Sequence, residues 1–252
     1  MPGPGRIAPA PPVRFVSVVR DFAMYARCLG NNPALKGCTL VPVDNTRLNE
    51  PIPVCYNRFL DSPEGRKDGW IVFCHEDFEP SSDLPLLCAG LDASSLHGVV
   101  GAARRGFAGF GMQRLYGNMI ESRRDGTGGE WMPGKAIARP VEVECFDCCC
   151  LMVHSSLVAK HRLRFDPNLQ FDLYVEDFCA SAKLHHGIRS FVHPVRCRHR
   201  SGSRAGDRLF RLLPYLEQKY PRNCFTGTLV YFGAPPWQKR LQDSILRLLR
   251  RR

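Results

Sequence analysis

The chain has 252 residues, of which 44% are hydrophobic and 23% charged, as is ordinary for a globular protein. No run approaches the roughly 18–20 consecutive apolar residues that a membrane-spanning helix needs, and the length suits one large α/β domain or two small ones. The net charge of +11 belongs wholly to the C-terminal part, because residues 196–252 carry 14 Lys/Arg against 3 Asp/Glu and residues 1–195 carry 21 of each.

Residues 1–12 are rich in Pro, Gly and Ala and lack the apolar core of a signal peptide, so we expect a flexible lead segment and a cytoplasmic chain. The reducing cytoplasm favours free thiols for the twelve cysteines, most of which lie in apolar runs. Cys145 and Cys148 form a C-x-x-C, but no second pair or nearby histidines complete a zinc site. Zinc is therefore not predicted.

Apolar and β-branched runs alternate with helical patterns along most of the chain. Strands are predicted at 13–19, 38–43, 69–74, 97–102, 141–153 and 190–195. Helices are predicted at 21–29, 53–60, 84–91, 155–161, 175–186 and 207–220, with Asp21 as a cap and Gly187 as a stop.

The segment 101–134 has a different character, because nine glycines recur among several arginines. Gly106, Gly109 and Gly111 do not form a dinucleotide fingerprint, since their order is reversed and no clear βα unit precedes them. The composition favours a long mobile loop over a cleft.

Alternating strands and helices predict an α/β, Rossmann-like fold with a mostly parallel central sheet and helices on both faces. Ligands of such sheets bind beyond the carboxyl ends of the strands. Asp44 and Asn45 follow one predicted strand there, and His75-Glu76-Asp77 follows another.

A second acidic group, Glu176 and Asp177, opens the predicted helix at 175–186. A carboxylate at a strand tip can hold a divalent cation, and a second one across the cleft can accept a proton. Together they suit transfer of a group from a phosphate-bearing donor. A solvated loop at 75–77, and a helix-dipole role for Glu176 and Asp177, are the structural alternatives.

The order of these motifs resembles that of a known family. It consists of Val43-Asp44-Asn45, Asn57, His75-Glu76-Asp77, Phe165-Asp166 and Glu176-Asp177-Phe178-Cys179. Over about 13–201 the chain resembles a family 2-type glycosyltransferase of the GT-A fold, and in particular the StrF-like branch.

The resemblance implies a site for a nucleoside-diphosphate sugar, UDP-type favoured, and for Mn²⁺ or Mg²⁺. Asp77 takes the last position of the metal-binding D-x-D, whose first position is His75 here, and His199 is a further candidate ligand. Asp177 matches the general base of an inverting transfer to a hydroxyl acceptor, and we group Glu176 with it. Donor-binding roles fall to Asp44, Asn45, Asn57, His75, Asp147 and Arg200.

Several other residues are candidates with an equal structural alternative. Asp147 lies between apolar neighbours in a predicted strand, so we expect it to face the cleft. Trp131 suits stacking on a sugar or packing of the loop. Arg198, Arg200 and Arg204 suit a diphosphate or a basic surface.

On these grounds we divide the chain into a lead at 1–12, a glycosyltransferase domain at 13–222 and a basic amphipathic tail at 223–252. The tail places Trp237, Leu241, Ile245 and Leu248 on one face, which suits peripheral membrane contact or packing on a partner. Two other functions remain open at this point: an inactive nucleotide-binding protein of the same fold, and a basic nucleic-acid-binding protein. The basic stretch lacks interleaved aromatic platforms, so nucleic acid is not favoured.

Overall fold

The computed structural model describes residues 12–81, 84–107, 110–201, 207–221 and 225–232. Its strands are β1 (Val13–Val19), β2 (Thr39–Asp44), β3 (Trp70–Cys74), β4 (Phe78–Pro80), β5 (Leu96–Gly98), β6 (Val100–Phe107), β7 (Phe110–Ser122), β8 (Glu130–Trp131), β9 (Val141–Val143), β10 (Cys145–Phe146), β11 (Cys150–His154), β12 (Ser190–Val192), β13 (Arg196–His199), β14 (Phe225–Thr226) and β15 (Tyr231–Phe232). Its α-helices are α1 (Phe22–Tyr25), α2 (Ile52–Asp61), α3 (Pro63–Arg66), α4 (Leu84–Ala89), α5 (Ser155–His161), α6 (Tyr174–His186) and α7 (Asp207–Lys219). A π-helical turn at Ala26–Gly30 extends α1, and 3-10 turns lie at Pro33–Leu35 and Pro167–Leu169.

A seven-stranded sheet in the order β2-β1-β3-β11-β5-β12-β9 forms the centre of the fold. The β2–β1, β1–β3 and β5–β12 pairs are parallel, whereas β11 and β9 run against their neighbours. Five of the seven strands therefore point the same way. The predicted α/β class with a mostly parallel central sheet is confirmed.

Both faces of this sheet are buried, which explains the continuous apolar runs of β1 and β3. In β3, Ile71 and Phe73 pack on the face covered by α2, α5 and α6, while Trp70 and Val72 pack on the face covered by α1 and α4. Each such side chain contributes roughly 1.5–3 kcal/mol through burial. The buried strands fix the edge of the sheet from which the site residues emerge.

The predicted loop at 101–134 is wrong for most of its length. β6 and β7 form a long antiparallel hairpin, in which Val100 lies opposite Gly117. Two of the glycines serve close backbone approach: a Cβ on Gly101 would lie 2.5 Å from the Cys145 carbonyl oxygen, and one on Gly117 would lie 2.4 Å from that of Val99. Glycine in a strand commonly marks such contacts, so its frequency here does not indicate a loop.

β7 belongs to a second sheet in the order β10-β6-β7-β13-β4, with β8 pairing β7. β13 is not predicted from the sequence, because its residues Arg-Cys-Arg-His do not show the alternation of several apolar and polar side chains that is typical of a strand. It lies parallel to β7 and antiparallel to β4, with His199 opposite Phe78. This pairing brings the end of β13 next to the residues that follow β3.

The single long strand predicted at 141–153 is also wrong, because it is divided into β9, β10 and β11. Asp147 lies in the break between β10 and β11, where its Oδ1 accepts a hydrogen bond from the Cys149 backbone nitrogen at 2.9 Å. A short polar side chain that binds the backbone two residues on favours a turn over a strand.

Two predicted helix ends are confirmed. Asp21 caps α1 by accepting hydrogen bonds from the backbone nitrogens of Ala23 and Met24, and Gly187 ends α6 in the left-handed conformation at φ 67°. Within the described residues, no helix has the length and hydrophobicity needed to cross a bilayer. The lead segment up to residue 11, Arg204 and the tail from residue 233 lie outside the described residues, and the division into three regions stays a prediction.

Candidate metal and group-transfer site

Three ligand-type side chains meet at the carboxyl end of β3. His75 and Asp77 follow that strand directly, and His199 ends β13. The Nε2 atom of His199 lies 3.3 Å from Asp77 Oδ1 and 3.4 Å from His75 Nδ1, and His75 Nδ1 lies 4.0 Å from Asp77 Oδ1. Neighbouring ligands of one divalent ion with bonds of about 2.1 Å lie roughly 3 to 3.4 Å apart, so the two distances from His199 match a metal site and the distance from His75 to Asp77 is wider.

The second nitrogen of each histidine is fixed by a partner on the far side of the ring. His199 Nδ1 lies 3.0 Å from Glu121 Oε1 and donates to it, and His75 Nε2 lies 2.9 Å from the Tyr174 hydroxyl. Such outer contacts set the ring orientation and the tautomer of metal-binding histidines. Both rings are therefore held with one nitrogen directed at Asp77.

The electrostatics of this triad keep Asp77 ionised. Burial works to raise the pKa of Asp77, but His199, His75 and Arg124 hold it well below its ordinary value. Burial works to lower the pKa of His199, whereas the neighbouring carboxylates of Asp77 and Glu121 raise that pKa well above the usual range. Burial lowers the pKa of His75. Asp77 is thus a fixed anion, and a divalent ion bound beside it would have to replace the Nε2 proton of His199.

One atom of the triad lacks a hydrogen-bond partner. Asp77 Oδ1 is buried and accepts no hydrogen bond within the described part of the chain, although both imidazoles approach it. An orphaned buried carboxylate oxygen is costly unless a cation satisfies it. His75, Asp77 and His199 accordingly fit a divalent ion that accepts nitrogen and oxygen ligands, such as Mn²⁺.

Asp147 and Cys149 form a second group with His199, in which the ligand atoms lie within 4.8 Å of one another. Burial raises the pKa of the Cys149 thiol well above its usual value, with the charge of Asp147 adding to the effect. A thiol that keeps its proton is a poor metal ligand. Asp147 is therefore the useful member of this group.

A cavity of about 250 Å³ opens beside the triad. Its wall contains His75 and His199 from the triad, together with Asp147, Cys148 and Glu176. Asp77 is buried and is not part of the lining. The cavity therefore joins a candidate metal centre to three further carboxylates, those of Asp147, Asp172 and Glu176.

Glu176 is the carboxyl group of this cavity that is best suited to exchange a proton near neutral pH. Its carboxylate is buried, and burial together with the charge of Asp147 raises its pKa to about 7. The Thr228 hydroxyl donates to Oε1 at 2.9 Å, and the Cys148 thiol donates to Oε2 at 3.3 Å. A carboxyl with a pKa near neutrality can exchange a proton under working conditions.

Asp177 lies elsewhere, although it is the next residue of α6. Its Oδ1 accepts a hydrogen bond from the Tyr220 hydroxyl at 2.7 Å and lies 2.8 Å from Lys219 Nζ, both from the end of α7. The expectation that Asp77 and Asp177 face each other across one pocket is wrong, because adjacent helical residues point about 100° apart. The general-base role of Asp177 stays a prediction that this geometry does not support.

The predicted donor-binding residues are only partly gathered at the site. His75 and Asp147 line the cavity, whereas Asp44, Asn45, Asn57 and Arg200 are not part of its lining. Asp44 is exposed at the end of β2, where its Oδ1 accepts hydrogen bonds from the backbone nitrogen and the hydroxyl of Thr46.

Three of these side chains are occupied by protein contacts. Asn45 exchanges two hydrogen bonds with the backbone of Glu50, and Asn57 does the same with Phe165. Arg200 binds Glu79 at 2.6 Å. Their amides and guanidinium fix neighbouring loops, so a donor-binding role for them stays a prediction.

Glu76 has a similar structural role. Its Oε2 accepts from the backbone nitrogens of Arg20 and Asp21 at 2.6 and 2.9 Å, and Arg124 binds its other oxygen. The two backbone bonds join the segment after β3 to the end of β1. They fix the position of Glu76 and therefore the backbone on which its neighbours His75 and Asp77 lie.

The sequence interpretation missed the groups that support the site. Tyr174, Glu121, Thr228 and Cys148 position the two histidines and Glu176. Only Tyr174 had a local signal, since it precedes the acidic pair. The other contacts span 28 to 78 residues, so sequence spacing does not show them.

No family model matches the chain, and no curated protein matches it. Among solved structures, the crystal structure of GalNAc-T7 with UDP, GalNAc and Mn²⁺ is similar over 82% of this chain and 48% of that chain, with 12% identity and a TM-score of 0.47. The chain thus matches about half the length of that protein. None of the comparisons supports the narrower StrF-like branch.

Proposed function

We propose that this chain is a metal-dependent glycosyltransferase, which moves a sugar from a nucleoside-diphosphate sugar to a hydroxyl acceptor. The observation that carries the proposal is the meeting of His75, Asp77 and His199 in a triangle of 3.3, 3.4 and 4.0 Å beside a cavity that also contains Glu176. The order of the sequence motifs, which resembles that of a family 2-type glycosyltransferase, supports the same function.

The triad would hold Mn²⁺ or Mg²⁺ through two imidazole nitrogens and one carboxylate oxygen. When bound, a divalent cation supplies neutralising charge for a departing diphosphate. Two nitrogen ligands favour Mn²⁺ over Mg²⁺, because Mg²⁺ prefers oxygen. The protein contributes a rigid frame, since Glu121 and Tyr174 fix the two rings.

Glu176 would accept the proton of the acceptor hydroxyl. Its position in the cavity wall allows contact with an acceptor, and the Thr228 hydroxyl and the Cys148 thiol hold its two oxygens. A carboxylate on the side of the sugar opposite the leaving group gives inversion at the anomeric carbon, which is the outcome we propose.

The cavity's volume of about 250 Å³ limits the part of the donor that it encloses. Ligand pockets usually measure about 300–1,000 Å³, and a whole nucleotide sugar needs the larger part of that range. We therefore place the sugar and the adjoining phosphate inside, with the nucleoside extending beyond the rim. UDP is the first nucleotide to test.

Thermal unfolding with UDP, GDP and dTDP, each with and without Mn²⁺, tests the proposal. We expect UDP and Mn²⁺ together to stabilise the protein by about 2.7 kcal/mol at one hundred times the dissociation constant. Asp77→Asn should lose this gain, whereas Asp61→Asn, a surface carboxylate that pairs with Arg164, should keep it. Absence of stabilisation by any of the nucleotides with metal would overturn the proposal.

Sugar transfer or donor hydrolysis then separates an enzyme from an inactive nucleotide-binding protein. Glu176→Gln should bind UDP and Mn²⁺ normally but lose the reaction. If the wild-type protein binds nucleotide yet consumes no sugar donor, the chain is a binding protein of the same fold. The hydroxyl acceptor is unidentified, and a saccharide and a lipid-linked compound both suit the proposal. Peripheral membrane contact through the C-terminal tail stays a prediction.

A further inference from the structure

Part of the cavity wall beside the metal triad is apolar and takes no part in the proposed binding of the cation. It consists of Phe171, Leu209 and Leu229, which we name the apolar wall. Leu229 is 55% exposed, so it lies at the rim and keeps about half of its surface for a ligand. The apolar wall is therefore available to the acceptor, whose hydroxyl must enter the same cavity.

The apolar wall begins one residue away from the contact of the proposed base. Thr228 donates to Glu176 Oε1 at 2.9 Å, and Leu229 follows Thr228 directly. The turn between β14 and β15 that carries both residues is fixed, because the Gln113 side chain donates to the carbonyl oxygens of Gly227 and Thr228. An acceptor whose hydroxyl reaches Glu176 therefore places the rest of its body near Leu229.

The aromatic part of the apolar wall is held by Arg208. The guanidinium carbon of Arg208 lies 5.2 Å from the centre of the Phe171 ring, and its Nε donates to Asp172 Oδ2. This ion pair stacks on the ring and keeps it in place. Phenylalanine and leucine side chains form no hydrogen bonds, so the hydroxyls of a saccharide acceptor would lose water at this wall without gaining partners. The wall favours an apolar acceptor body.

The acidity of the acceptor hydroxyl must also suit the base. Burial and the charge of Asp147 raise the pKa of Glu176 to about 7. A phenolic hydroxyl has a pKa of about 10. An aliphatic hydroxyl has a pKa close to the value of about 15.7 for water. The phenolic proton therefore passes to such a carboxylate far more readily.

We propose that the acceptor is a phenol, whose hydroxyl group is carried directly by an aromatic ring that rests on Phe171, Leu209 and Leu229. This inference rests on the proposed glycosyl transfer. The phenolic oxygen forms the new bond to the anomeric carbon of the donor. The bond from that carbon to the diphosphate breaks, and its electron pair leaves with the nucleoside diphosphate. The phenolic proton passes to Glu176 and from there to solvent.

Isothermal titration calorimetry of the full chain, loaded with UDP and Mn²⁺, tests the apolar body of the acceptor. We expect 2-naphthol to bind this complex with one molecule per chain, whereas glucose should not bind at the same concentrations. Leu229→Asn should weaken 2-naphthol roughly fivefold, because the ring would cover the exposed half of that leucine, and it should leave the affinity for UDP unchanged. Leu86→Asn, at an exposed position on α4, is the control and should change neither affinity.

Rates of transfer test the hydroxyl. With UDP-glucose, UDP-galactose and UDP-N-acetylglucosamine as donors, mass spectrometry should detect the aryl glycoside of 2-naphthol. The matched compound 2-naphthalenemethanol carries an aliphatic hydroxyl on the same rings and should react at least about tenfold more slowly. Equal rates for the two compounds, or faster transfer to glucose, would overturn the phenol assignment and leave glycosyl transfer in place.

The two proposals fail in different ways. If UDP and Mn²⁺ bind but 2-naphthol does not, the acceptor assignment is wrong and the proposed function stands. If 2-naphthol binds but none of the three donors is consumed, its role as an acceptor is refuted. If UDP and Mn²⁺ do not bind, both proposals are wrong.

Discussion

Lys219 offers a direct test of why Asp177 lies away from the cavity. Its ammonium lies 2.6 Å from Asp166 Oδ2 and 2.8 Å from Asp177 Oδ1, and those two carboxylates are almost fully buried. Burial raises the pKa of Asp177, whereas the attraction of Lys219 opposes that rise. In Lys219→Met, two neighbouring buried carboxylates lose the cation between them.

The expected loss can be worked from this geometry. Removing one partner of a buried ion pair costs about 3–5 kcal/mol. The Lys219 side chain is 30% exposed, so water replaces part of its effect, and we expect about 2–3 kcal/mol. For a chain of this size, this lowers the thermal midpoint by roughly 4–12 °C.

Urea unfolding followed by circular dichroism measures the change. Lys160→Met, at an exposed position on α5, should change the free energy of unfolding by less than about 0.5 kcal/mol. Adding Asp177→Asn to Lys219→Met should recover part of the loss, because it removes one uncompensated charge. A Lys219→Met protein as stable as the wild type, or a double variant less stable than Lys219→Met alone, would refute the structural role of Asp177.

The remaining predictions concern chemistry, pH and packing. Glu176→Gln should lower the rate of sugar transfer about 10²–10⁴-fold. The wild-type rate should fall as the pH drops below about 7, because the base must be deprotonated. A variant whose rate depends on pH in the same way as the wild type would contradict this. Burial and the neighbouring His97 lower the pKa of His193 to about 4, so His193 resists protonation in the folded state. Its contribution to stability is therefore present above the unfolded pKa of about 6.5 and is lost as the pH falls toward 4. Equilibrium unfolding at several pH values should show that the stability of His193→Gln depends less on pH. Gly98→Ala should lower the free energy of unfolding by about 1–3 kcal/mol in denaturant, because its Cβ would lie 2.5 Å from the buried ring of Phe146. Gly90→Ala is the control. Its Cβ would meet only the Leu87 carbonyl oxygen, at 3.7 Å, so its effect should be close to zero.

Much of the fold could be predicted from local sequence. The runs of β1 and β3 are apolar because both faces of the central sheet are covered, and Asp21 and Gly187 end helices through chemistry that a single residue supplies. The hairpin of β6 and β7 could not be predicted in this way. Its glycines serve contacts with residues distant along the chain, as Gly101 does with Val192.

The site shows the same limit. His75, Asp77 and His199 could each be proposed from sequence, but their meeting depends on β13 lying against β4. The distinction between Glu176 and Asp177 depends on which face of α6 meets the cavity and which meets α7. No pattern within the helix decides that, because both residues are buried among groups from remote segments.

The arrangement of β13 has a consequence for mutation. Arg198 and His199 are consecutive, and they supply opposite sides of the same four-residue strand. A deletion or insertion of one residue before Arg198 would exchange their directions, presenting the guanidinium to Asp77 and the imidazole to the opposite face of the strand, which borders a cavity of about 320 Å³. Length changes in this strand would therefore damage both cavities in a single event, while substitutions can alter each one separately.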